Sequence, residues 1–128
     1  MKRRLRILIA DDVALMRELL AGLIRRHGEH DIVMARDGQA ALDLCSRPNQ
    51  DFDVAFLDQD MPGFKGTELL NFIKSQQPNC VTAIVTGNSD RETVRSAIDA
   101  GVDGFLVKPY AMSQVEDILA RVHAPGEP

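Results

Sequence analysis

Five short apolar runs alternate with five segments of helical period, and this alternation is what most constrains the fold of the 128-residue chain. The runs cover 7–10, 32–35, 54–57, 81–85 and 105–107, each bounded by Asp, Gly or Asn, as strands are. Between them, Leu15, Met16, Leu19, Leu20, Leu23 and Ile24 are spaced to share one face of a helix over 13–26. Ala40, Ala41, Leu44 and Cys45 mark a second helix. Leu69, Leu70, Phe72 and Ile73 mark a third, ended by Pro78. Val94, Ala97 and Ile98 mark a fourth, stopped at Gly101, and Val115, Ile118, Leu119 and Val122 a fifth. Strand–helix alternation calls for a parallel sheet with helices on both faces, joined by right-handed crossovers. The strands read as continuously apolar because both faces are covered. One α/β domain over 1–123 is expected, with 124–128 (Ala-Pro-Gly-Glu-Pro) as a tail or linker remnant.

In such a sheet, ligands bind beyond the carboxyl ends of the strands. The first run ends in Asp11-Asp12, the third in Asp58, the fourth in Thr86-Gly87 and the fifth in Lys108-Pro109. All should meet on one rim. Three carboxylates brought together there repel and raise one another's pKa values unless something compensates them. A hard divalent cation does so, and an oxygen-rich site suits Mg²⁺, with Mn²⁺ an alternative. Lys108 adds an ammonium and Thr86 a hydroxyl, parts that suit a phosphoryl group. A carboxylate among them can itself be the nucleophile and become an aspartyl phosphate.

Composition narrows the classes further. Hydrophobic residues are 45% and charged residues 27%, as in globular rather than disordered chains. A net charge of −4 argues against direct nucleic-acid binding, and Lys2-Arg3-Arg4-Leu5-Arg6 is too short a basic segment to reverse that. No apolar stretch is long enough for a membrane span, and the first ends too soon for a signal-peptide core. Cys45 and Cys80 match no metal-ligand spacing and read as free thiols of a reducing compartment, hence a cytoplasmic protein. His27, His30 and His123 read as surface residues near helix ends.

These residues resemble the receiver domain of bacterial response regulators, of the single-domain chemotaxis type, over about 6–122. The marks are Asp11-Asp12, the hydrophobic-Asp-x-x-Met-Pro-Gly run at Asp58, Thr86, the Ala100-Gly101 turn and Lys108-Pro109. The resemblance implies a flavodoxin-like sheet of order 2-1-3-4-5 with five helices. It implies Asp58 as phosphoacceptor. It implies Asp12 and Asp58 as Mg²⁺ ligands, with Asp11 acting largely through water and the Asp60 backbone carbonyl completing the site. Thr86 and Lys108 would contact the phosphoryl oxygens, Phe105 would be the rotating aromatic of the switch, and the Lys108-Pro109 bond would be cis. The implied donor is a histidine kinase or a histidine phosphotransfer domain. The implied output is a change in the face of the fourth helix, fifth strand and fifth helix, which controls an unidentified partner or output domain and is a surface through which receivers dimerise. Such a domain catalyses only its own phosphorylation and dephosphorylation. The end of the chain soon after the fifth helix fits either a stand-alone receiver or one cut from a longer protein.

Simpler roles compete at several positions. Asp12 could cap the first helix, Asp37 should cap the second, Phe105 could be plain core, and Tyr110 should be packing. Asp60 and Asn88 flank the path of an attacking water and are expected to tune the phosphoryl lifetime. Lys65 could pair with Asp60 or be solvated. Asp58-Gln59-Asp60 also resembles the Asp-x-Asp nucleophile motif of haloacid-dehalogenase-type phosphatases, although the chain is short for that fold and its acidic pair Asp11-Asp12 lies before the nucleophile, where that family places its extra acidic residues after the lysine. A third class is an interaction module that no longer uses phosphate. The retained carboxylate cluster argues against it.

Overall fold

The structure, a computed structural model, describes residues 3–122. His123 and the 124–128 tail lie outside the described residues. Ten elements alternate: β1 (Arg6–Ala10), α1 (Ala14–His27), β2 (Asp31–Ala35), α2 (Gly38–Cys45), β3 (Val54–Asp58), α3 (Gly66–Gln76), β4 (Val81–Thr86), α4 (Arg91–Asp99), β5 (Gly104–Val107) and α5 (Met112–Leu119). The strands form one parallel sheet of order β2-β1-β3-β4-β5. This is the doubly wound, flavodoxin-like order that the resemblance implies.

Strand side chains alternate between faces, so the sheet divides the core in two. Ile7, Ile9, Val54, Phe56, Ala83, Val85 and Leu106 point to the side covered by Leu20, Ala21 and Ile24 of α1 and Val115, Ile118 and Leu119 of α5. Leu8, Ala10, Ala55, Leu57 and Ile84 point to the opposite side, under Ala41 and Cys45 of α2, Leu69, Leu70 and Ile73 of α3 and Ala97 of α4. The central strand β3 is buried along its whole length, which is why its sequence carries no polar alternation.

Local chemistry sets the helix ends. Asp37 accepts from Ala40 N (2.8 Å) as the N-cap of α2, and Asp90 caps α4 through Thr93 N (2.7 Å). Gly101, just past α4, has φ +84°, the left-handed conformation that ends helices at little cost only for glycine.

The structure corrects two expectations. Leu15 and Leu19 do not belong to the buried face of α1; they are 66% and 53% exposed. Small Ala21 takes the place against the sheet, flanked by Leu20 and Ile24. Ile98 of α4 is likewise exposed, and Ala97 is the residue of that helix in the core. Nor are His27 and His30 plain surface residues. They are half-buried and stacked, with His27 Nδ1 3.0 Å from His30 Nε2, and His30 Nδ1 accepts from Leu5 N (3.0 Å). Among the described residues, no helix is long and apolar enough to cross a membrane.

Candidate functional site

The carboxyl ends of β1, β3, β4 and β5 deliver the sequence-expected residues to one rim. Asp11 follows β1 and is pinned by its own backbone, since its N–H donates to Ala35 O (3.1 Å). Its Oδ1 accepts from Val13 N (2.9 Å), holding the turn into α1. Val13, not Asp12, is the N-cap residue of α1, so Asp12 is left exposed on the rim. Asp58 ends β3 and is 5% exposed. Behind it, the first residue of α3 lies against the strand. A Cβ on Gly66 would come within 2.7 Å of the Asp58 carbonyl oxygen, so only glycine lets α3 start that close.

Asp11, Asp12 and Asp58 each offer a carboxylate oxygen within 4.8 Å of the others. Lys108 Nζ lies 3.3 Å from Asp11 Oδ2 and 3.7 Å from Asp58 Oδ1. One ammonium against three carboxylates leaves the cluster negative. Burial pushes the Asp58 carboxyl up to about 6, the Asp11 charge adds to that, and Lys108 opposes it. The donor set is all hard oxygen, two of its members are buried, and it carries uncompensated negative charge. Those properties fit a divalent cation.

Thr86 ends β4 and is fully buried. Its Oγ1 accepts from Asn88 N (3.1 Å) and donates to Asp60 Oδ2 (3.4 Å). Asp60 N in turn lies 3.4 Å from Asp58 Oδ1. Asn88 lines the same polar cleft as Asp60, but its side chain is occupied with Asp90. The amide donates to Asp90 Oδ2 (2.9 Å) and its oxygen accepts from Asp90 N (3.0 Å). Among the described residues no ion pair joins Lys65 to Asp60, and Lys65 is exposed. Phe105 is half-buried against the α2–α3–α4 side of the core. The Lys108–Pro109 peptide is cis. Tyr110 packs against the α1–α5 side and lines an apolar groove with Met16, Leu19, Leu23 and Pro109.

Two supporting residues escaped the sequence reading. Arg17, which closes the first turn of α1, donates to the Asp11 carbonyl oxygen (2.7 Å). Gln59 is buried beside Asp58, where its Oε1 accepts from Thr67 N (2.9 Å) and ties the loop after β3 to α3. Its position directly after Asp58 was the only available signal. Nothing in helix periodicity marked Arg17.

A parallel sheet of this order with an acid cluster, a hydroxyl and a lysine at its carboxyl rim is the arrangement of a receiver-type signalling module. The chain belongs to the response regulator receiver domain family, whose model matches residues 7–120. It is 31% identical over 124 residues to the chemotaxis protein CheY-3 of Vibrio cholerae, covering 95% of this chain and 94% of that one. It is 37% identical over 122 residues to the sensor histidine kinase AruS of Pseudomonas aeruginosa, covering 92% of this chain but 12% of the kinase. It also superimposes with a TM-score of 0.78 and 26% identity on a response regulator of Burkholderia pseudomallei, a crystal structure containing a phosphorylated aspartic acid and a calcium ion; 93% of this chain and 66% of that one are covered. The protein is therefore a receiver-type signalling switch rather than an enzyme of the usual kind, and its relatives include both a chain of similar length and a segment of a large kinase.

Proposed function

We propose that Asp58 accepts a phosphoryl group from a phosphohistidine of a histidine kinase or a histidine phosphotransfer domain. An Asp58 carboxylate oxygen attacks phosphorus, the P–N bond to the donor imidazole breaks, and the departing ring nitrogen keeps the electron pair and is protonated. The observation that carries this reading is the buried Asp58 carboxylate with Lys108 Nζ at 3.7 Å and two further carboxylates within reach of one cation. Asp11, Asp12 and Asp58, with the Asp60 backbone carbonyl, would hold Mg²⁺ or Mn²⁺. The cation would neutralise the oxygens of the transferring group. Lys108 neutralises one phosphoryl oxygen and the Thr86 hydroxyl orients another. The chain's contribution is positioning and charge.

Phosphorylation adds negative charge and strong acceptors at the rim. Drawing Thr86 toward them frees space beside β4. Phe105, only half-buried, turns into that space and changes the α4–β5–α5 face, where Ile98 and Val107 are exposed. A partner protein, an output domain or a second copy reads that face, and the change is a shift between two packings. Water then cleaves the aspartyl phosphate, regenerating the Asp58 carboxylate. Residues 1–123 act as the switch and 124–128 as a tail, in the cytoplasm, where the thiols stay reduced.

The test is incubation with Mg²⁺ and acetyl phosphate, followed by intact mass, beside Asp58→Asn. A single phosphoryl adduct that needs the cation and is missing from the variant supports the assignment. Sustained turnover of phosphomonoesters without an adduct would instead establish a phosphatase.

A further inference from the structure

We propose that the Asp60 carboxylate is a latch that holds Thr86 in the resting state, so that Asp60 sets how readily the switch responds. The idea rests on Asp58 being the phosphoacceptor. Thr86 has one hydroxyl proton, and Oγ1 spends it on Asp60 Oδ2 at 3.4 Å while accepting from Asn88 N at 3.1 Å. The oxygen is thus supplied on both sides without any phosphoryl group. A phosphoryl group on Asp58 must compete with Asp60 for that same proton.

Asp60 is placed to sense the competition. Its backbone N–H lies 3.4 Å from Asp58 Oδ1, so one residue touches the acceptor with its main chain and the switch hydroxyl with its side chain. No cation is paired with its carboxylate among the described residues, which leaves the full charge to act as acceptor. The contact is long for a hydroxyl–carboxylate bond, so the latch is weak and releasable.

The latch also reaches α4. Thr86 is the acceptor for Asn88 N, and the Asn88 side chain is bound both ways to Asp90, the N-cap residue of α4. When Thr86 turns from Asp60, the oxygen facing Asn88 moves with it, and the first turn of α4 loses a fixed neighbour. Release of Asp60 is in this way transmitted to the helix that bears the exposed Ile98.

The experiment is a double-mutant cycle on binding of BeF₃⁻, a phosphoryl mimic, in the presence of Mg²⁺, read by calorimetry and by ¹⁹F resonance. Asp60→Ala should tighten BeF₃⁻ binding about two- to fivefold in the Thr86 background. The gain should largely vanish in the Thr86→Val background, where no hydroxyl remains to be held. Asp60→Asn, which keeps an oxygen acceptor but not the charge, should give a smaller gain than Asp60→Ala. Equal gains in both Thr86 backgrounds, or equal gains for Asn and Ala, would show simple charge repulsion and overturn the latch. So would no change with Asp60→Ala. If the unmodified protein fails to bind BeF₃⁻ at all, the phosphoacceptor assignment falls and the latch falls with it.

Discussion

Replacing Asp58 by Asn should stabilise the protein without metal, and the gain should depend on pH in a fixed direction. Burial and the nearby Asp11 charge lift the Asp58 carboxyl from its ordinary 3.8 to about 6. A carboxyl raised on folding contributes stability that is fully present below its unfolded pKa and lost as pH rises through its folded pKa. Between about pH 4 and pH 6 the native state therefore loses stability, and above pH 6 the penalty is constant. Roughly two pH units, each worth about 1.4 kcal/mol, cap the penalty at about 3 kcal/mol. Solvent screening at the open rim reduces this to about 1–2 kcal/mol. Asn has nearly the same shape and does not ionise. Urea unfolding in EDTA should show Asp58→Asn more stable by about that amount at pH 7.5 and equal to the parent near pH 3.5. Carboxylates remote from Asp58 are common to both proteins and cancel from the difference, while the repulsion between Asp11 and Asp58 is part of the gap being measured. Mg²⁺ should then narrow the gap at pH 7.5, because it stabilises the parent by mass action at the carboxylate cluster. A gain that is absent at pH 7.5, or that persists unchanged at pH 3.5, would refute the claim that Asp58 is a destabilising, desolvated charge.

Three further outcomes follow from the packing. Gly66→Ala places a Cβ 2.7 Å from the Asp58 carbonyl oxygen and 3.1 Å from Gln59 Cα; it should cost about 1–3 kcal/mol in urea unfolding and slow the proposed phosphorylation by acetyl phosphate, because α3 and β3 must part. Gln77→Leu should cost about 2–3 kcal/mol, since the buried amide satisfies both Phe52 N (2.8 Å) and Cys45 O (3.2 Å), and an equally stable variant would contradict that bridging role. Burial pushes the Cys45 thiol up to about 11 and Cys80 up to about 12. Both should ignore a thiol reagent such as DTNB in the folded protein at pH 8 and react promptly in denaturant, whereas fast native labelling of either would contradict their burial.

Much of this molecule was legible before folding. Strand–helix alternation defined the layers, and the residue after each apolar run named the rim, because a strand end is a local event that sequence marks directly. The helix faces were harder. Six apolar residues on α1 suggested a broad buried stripe, yet Leu15 and Leu19 face outward because small Ala21 allows close approach to the sheet on the other side. Least legible were partnerships between distant positions. Lys74 donates to Asp103 Oδ2 (2.8 Å), which also accepts from Thr82 N, and burial alone would raise the Asp103 carboxyl while these bonds bring it below its ordinary value. Gln77, bonded to Phe52 and Cys45, belongs to the same category. Such contacts span turns of the chain, leave no periodic trace, and become visible only when the sheet order is known. The Asp60–Thr86 contact joins residues 26 positions apart for the same reason.

The division of the core by the sheet has an evolutionary consequence. Phe105 and the buried residue of α4 belong to one half, while α1, α5, Tyr110 and the groove beside Pro109 belong to the other. Substitutions on opposite sides share few neighbours, so their effects should combine nearly independently. A lineage can therefore repack the α1 side while the α4 side stays as it is, or the reverse. Only the rim residues, rooted in strands that both halves share, are bound to both histories at once.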